Sequence, residues 1–129
     1  MSNVPQLGTY VSEDTNFAIK IDSANPSNGQ IDGSYKASYS PEGPFSAQGS
    51  IGTYAWVFSD SQGKDGVAPF SLRVSGSIRP NKNPYCIMDT WTGAYRADNT
   101  LLMEGSRSYV NSKGSVQTAS LGTLTFKKQ

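Results

Sequence analysis

The sequence predicts an all-β fold, an eight-stranded antiparallel up-and-down β-barrel. Two observations carry that prediction. Apolar and polar residues alternate at period two along much of the chain, the spacing of strands with one buried face. Clusters of Gly, Pro, Asn, Asp and Ser break the alternation at short intervals, as hairpin turns do. Short strands joined in sequence favour a barrel, because closure removes exposed edges. A two-sheet β-sandwich is the alternative, since it alternates inside and outside residues in the same way.

The strands are expected at about residues 7–13, 16–23, 30–39, 47–58, 67–79, 85–96, 100–110 and 115–127. In the second, Phe17, Ile19 and Ile21 point one way and Ala18, Lys20 and Asp22 the other. Asn25-Pro26-Ser27-Asn28-Gly29 follows, and its Asn-Gly supplies the positive φ of a tight turn. Ser40-Pro41-Glu42-Gly43-Pro44 ends the third strand. The fourth carries Tyr54, Trp56 and Phe58 on one face and Ile51, Ala55 and Val57 on the other. A strand apolar on both faces is buried on both, which predicts that another subunit covers the outside of the barrel. A loop over 59–66 leads to Phe70, Leu72 and Val74, alternating with Ser71, Arg73 and Ser75. After Pro80-Asn81-Lys82-Asn83-Pro84, Tyr85, Ile87, Asp89 and Trp91 share one face of the sixth strand. Cys86, Met88, Thr90 and Thr92 share the other. Turns at Ala97-Asp98-Asn99 and Asn111-Ser112-Lys113-Gly114 bound the seventh strand, where Leu101 to Gly105 is too short for a helix. Leu124 and Phe126 flank Thr125 in the last, and Lys127-Lys128 reads as a solvated tail.

Composition narrows the chemistry. The 129 residues fit a single domain over 1–129, with formal net charge +1 and no clustered basic excess for nucleic acid. Histidine is absent and Cys86 is the single cysteine. A Ser-His-Asp or Cys-His mechanism, an intrachain disulfide and a thiolate zinc site are therefore excluded. Asp60 and Asp65, with Gly63 and Gly66, lack the acidic repeats of a calcium loop, so no metal or other cofactor is expected. No carboxylate pair is placed for glycoside hydrolysis, which leaves a non-catalytic protein. No apolar run would span a membrane and no leader is visible at residues 1–7. The expectation is a soluble chain, cytoplasmic or secreted with a leader already removed.

Several fragments resemble the avidin and streptavidin family of biotin-binding barrels. Gly8-Thr9-Tyr10-Val11-Ser12 is similar to that family's opening Gly-x-Trp-x-Asn, and Gly33-Ser34-Tyr35 to its Gly-Thr-Tyr. Thr90-Trp91-Thr92-Gly93-Ala94-Tyr95 resembles its Thr-Trp-Ser-Gly-Gln-Tyr on the sixth strand. Leu121-Gly122-Thr123-Leu124-Thr125-Phe126 resembles its Val-Gly-x-Asp-x-Phe on the eighth. The resemblance implies that Tyr35 stands for the tyrosine donating to the ureido oxygen and Trp91 for an aromatic wall. Ser12 stands for the ureido-binding asparagine, Thr15 for the serine of a loop one residue longer, and Phe70 for a wall tryptophan. Leu124 replaces the acidic or amide acceptor for a ureido nitrogen. Val116 replaces the tryptophan that reaches into a neighbouring subunit, and residues 100–110 hold no tryptophan. Each lost buried partner costs about 1–3 kcal/mol, so biotin binding is expected to be weak or lost.

The expected ligand-binding set is Ser12, Thr15, Tyr35, Phe70, Asp89 and Trp91, lining a barrel pocket for a small polar ligand of unknown identity. Trp91 either walls that pocket or fills the core. Asp89 shares the inward face, where a carboxylate is costly without a partner. It is expected to face the ligand, to sit in water at the barrel mouth, or to pair with Arg73, Arg79 or an inward hydroxyl. Cys86, on the opposite face, reads as a small buried hydrophobe. The alternative function is a glycan-binding (lectin-like) or defence protein using surface residues such as Tyr39, Asn81, Asn83, Tyr85, Tyr109 and Asn111. A homo-oligomer, dimer or tetramer, is expected from the fourth strand.

Overall fold

A computed structural model of the protein describes residues 5–38, 45–54, 70–78, 86–96, 98–110 and 113–129. Its strands are β1 (Gly8–Ser12), β2 (Phe17–Ala24), β3 (Gln30–Ala37), β4 (Phe45–Tyr54), β5 (Phe70–Ile78), β6 (Cys86–Tyr95), β7 (Thr100–Val110) and β8 (Val116–Lys128). Each pairs antiparallel with the next, and β8 returns to β1 to close an up-and-down barrel. No helix among the described residues is long and apolar enough to cross a membrane.

Alternation places the core inside. Ile19 and Ile21 of β2, Leu72 and Val74 of β5, Ile87 and Trp91 of β6, Leu101 and Met103 of β7 and Phe126 of β8 are all buried. Trp91 is the largest of them, with the Phe17 and Phe126 rings edge-on to it at centroid distances of 5.0 and 5.1 Å. Gly105 makes room for it. A Cβ at Gly105 would lie 2.5 Å from the indole ring. At one end of the barrel the Tyr10 hydroxyl donates to the Gln6 carbonyl at 2.6 Å, and the Tyr10 and Tyr95 rings meet edge to face. The Asn28-Gly29 turn at the same end needs its glycine: φ is +74° and a Cβ would lie 2.3 Å from the Tyr54 carbonyl oxygen.

Three bulges bend the sheet and shift its alternation. Asp22 in β2, Ile51 in β4 and Leu121 in β8 are the extra residues, each lying where the register steps against β3 or β7. The β4 bulge corrects the reading of that strand. Ile51 and Tyr54, at opposite parity, are both buried, at 1% and 5% exposure. The inserted residue turns both inward, so their two-sided pattern does not require a covered outer face. Ala55, Trp56, Val57 and Phe58 lie outside the described residues, as do Arg79, the 59–66 loop, Tyr39, Tyr85, Asn81, Asn83 and Asn111.

The end of the chain also differs from expectation. Lys127 and Lys128 are strand residues, paired with Val11 and Tyr10 at the β1–β8 seam. Glu13 extends the seam by donating its N–H to the Thr125 carbonyl at 2.9 Å and accepting from the Thr125 N–H at 3.1 Å.

Candidate functional site

β3 and β7 finish, and β6 begins, at the barrel end opposite Tyr10 and Tyr95. The hairpin of β6 and β7 sets Asp89 directly against Arg107, both inward by alternation with Trp91 and Met103. Across the barrel, β3 contributes Tyr35. The Arg107 guanidinium donates from Nε to Asp89 Oδ1 at 2.6 Å and from Nη2 to Oδ2 at 2.9 Å. The Tyr35 hydroxyl donates to Asp89 Oδ2 at 2.6 Å and accepts from Trp91 Nε1 at 2.9 Å. One chain of donation thus runs from Trp91 through Tyr35 to Asp89, and Arg107 grips the same carboxylate from the other side.

All four side chains are buried: Asp89 and Trp91 at 0%, Tyr35 at 1% and Arg107 at 3% exposure. Burial, reinforced by the neighbouring Asp89 carboxylate, pushes the Tyr35 phenol well above its usual value. Tyr35 is therefore a neutral donor across the physiological range. A bidentate pair in this geometry is the strong form of a charge-assisted contact. Removing two charges from water still offsets much of that gain, so an ion pair fills a barrel less favourably than apolar residues of equal volume.

The expected set is only partly assembled. Tyr35, Asp89 and Trp91 meet as one network. Asp89 does not take Arg73, which is exposed on the outer face of β5. It pairs with Arg107, a residue absent from the expected set, and with an inward hydroxyl, that of Tyr35, as one expected alternative had it. At 0% exposure it does not sit in water at the barrel mouth. Ser12 is buried, but its hydroxyl is engaged locally, donating to Asp14 Oδ1 at 2.6 Å and accepting from the Phe17 N–H at 3.0 Å. Thr15 is exposed in the β1–β2 turn, with φ at +62°. Phe70 opens β5 opposite Tyr95, and its side chain lies outside the described part of the structure, as does that of Cys86.

Beside Arg107, β8 is exposed to solvent. Ala119 is the cross-strand neighbour of Arg107 and Gln117 that of Tyr109, so both belong to the inner face. Both are exposed, and β1, which stops at Ser12, does not reach this stretch of β8. On the outer face, Thr90, Thr92, Glu104, Ser106, Thr118 and Ser120 line an open depression of about 510 Å³. Its polar groups are hydroxyls and one carboxylate, with Gly105 and Ala119 completing a lining that is about half apolar. Leu124 packs partly buried against the core, and Val116 is 71% exposed.

Compared with family models, curated proteins and solved structures, the chain matches none.

Proposed function

We propose that this is a non-catalytic binding barrel, related in design to the avidins, which takes a small polar ligand at the Tyr35–Asp89–Arg107 end. One observation carries the reading. A fully buried ion pair, braced by a tyrosine and a tryptophan, stands beside an inner wall that solvent reaches at Ala119 and Gln117. Fixed donors and acceptors against an aromatic surface are what orient a polar ligand in an otherwise apolar cavity. The chain has no histidine to serve as a general base.

Biotin fits this set poorly. Ser12 is committed to Asp14 and Phe17, and Leu124 offers no acceptor. A ligand with a carboxylate or amide, exchanging hydrogen bonds with Arg107 and Asp89, fits better. Native mass spectrometry of protein purified from cell extract tests the proposal. A bound small molecule that Arg107→Met releases supports it, and a mass free of any adduct from every extract argues against it. Calorimetry with biotin is expected to give weak or no heat; a sub-micromolar dissociation constant would overturn the assignment of the altered positions. The glycan-binding reading has one observation in its favour, the hydroxyl-lined depression on β6–β8. A glycan array is its test, with loss of binding on Glu104→Gln as the supporting result.

A further inference from the structure

We propose that the bare edge of β8 pairs with the same edge of a second copy, forming a two-fold symmetric dimer through a continuous intermolecular sheet. The inference is independent of the ligand. β8 is bonded to β7 along its whole length, from Val116 to Lys127. Its other edge meets β1 at Phe126 to Lys128, and Glu13 takes the backbone of Thr125. Before Thr125 that edge has no strand beside it among the described residues. A row of backbone N–H and C=O groups there is a template for another strand.

Proteins blunt such edges with lysine, proline or inward charge. Residues 114–126 contain none of these, although Lys113 and Lys127 stand on either side. The Leu121 bulge limits the flat part to Val116–Ser120, a stretch exposed throughout. β4 also keeps an edge clear of β5 before Gly52. That segment carries Gly49 at φ +111°, which departs from extended geometry. Val116 and Thr118, both β-branched, suit a strand better.

The absence of charge selects the occupant. A two-fold axis brings each residue close to its own copy, so any charge on the edge would meet its like. An axis at Thr118 sets the two Thr118 side chains together, Val116 against the partner's Ser120 and Gln117 against the partner's Ala119. Like threonines across a strand pair are favourable.

Sedimentation of the full chain, alone and as variants, tests this. The wild type is expected to reach twice the 13.8 kDa of one chain as concentration rises, and no further. Thr118→Lys sets two ammonium groups at the axis and should weaken the dimer about tenfold. Thr118→Glu should do the same, and an equimolar mixture of the two variants should restore pairing. Thr118 is exposed, so both variants should melt as the wild-type monomer does. Amides 116–120 should gain exchange protection with concentration. A wild type that stays monomeric, a Thr118→Lys dimer as tight as wild type, species larger than dimers, or protection confined to other strands would each overturn the proposal.

Discussion

Asp89 and Arg107 face each other across the β6–β7 ladder, joined by two hydrogen bonds of 2.6 and 2.9 Å in a site with almost no solvent. Each is the other's answer to burial. Arg107→Met leaves the Asp89 carboxylate without its counter-charge and is expected to cost about 3–5 kcal/mol, as does Asp89→Asn in reverse. The double variant Asp89→Leu with Arg107→Met should lose less than the sum of the single changes, because neither leaves a charge behind. Denaturant melts of the set measure this; strictly additive losses would mean that the two groups are not coupled.

Alkaline pH should loosen the fold. Burial raises the Tyr35, Tyr10 and Tyr54 phenols above their ordinary 10.0. Tyr35 is raised further by Asp89, and Tyr10 by Tyr95. In the unfolded chain these groups ionise near their ordinary value while the folded protein keeps them neutral. Their contribution is therefore complete below about pH 10 and is lost as the pH climbs toward the folded values. Melting temperatures are expected to fall above that point, more gently in Tyr35→Phe. A flat profile there would contradict the burial of the three hydroxyls.

Gly105→Ala is expected to destabilise by about 1–3 kcal/mol, since the new methyl meets a rigid ring that Phe17 and Phe126 hold in place. The readout is a melt together with tryptophan emission, which should shift as the indole is displaced. An unchanged spectrum and melt would place the ring elsewhere.

Thr15 is a β-branched residue in left-handed backbone, a conformation costing about 1–2 kcal/mol. Thr15→Gly should raise the melting temperature modestly. If Thr15 serves no ligand, binding stays the same. A lower melting temperature would show that the threonine side chain contributes more than its backbone strain costs.

The fold was legible because barrel strands announce themselves twice, by alternation and by their turns. The eight strand positions and the inward face of β6 follow from that alone. Bulges escape it. An extra residue such as Ile51 reverses the alternation without altering composition, and it makes an inward strand look apolar on both sides. The partner of Asp89 was within reach. A hairpin folded about Asp98 sets equidistant residues opposite each other, and Arg107 lies as far after Asp98 as Asp89 lies before it. The inward parity shared by Leu101, Met103 and Arg107 points the same way. Arginine on an inner face runs against ordinary burial preference, and a reading by residue type passes over it. The engagement of Ser12 by Asp14 was not legible, because it depends on the conformation of a short turn.

The β1–β8 seam joins Tyr10–Ser12 to Phe126–Lys128, segments more than a hundred residues apart in sequence. Every other strand pair can zip as soon as its hairpin leaves the ribosome. The seam must wait for β8, so the nascent chain spends most of its synthesis as an open curved sheet. Contacts of such long sequence separation slow folding and prolong the exposure of unpaired strands. The rate of barrel closure, and the demand on chaperones meanwhile, should therefore respond most to changes at Tyr10 and Phe126. Substitutions in the β6–β7 hairpin, whose pairing is local, should leave that rate almost untouched.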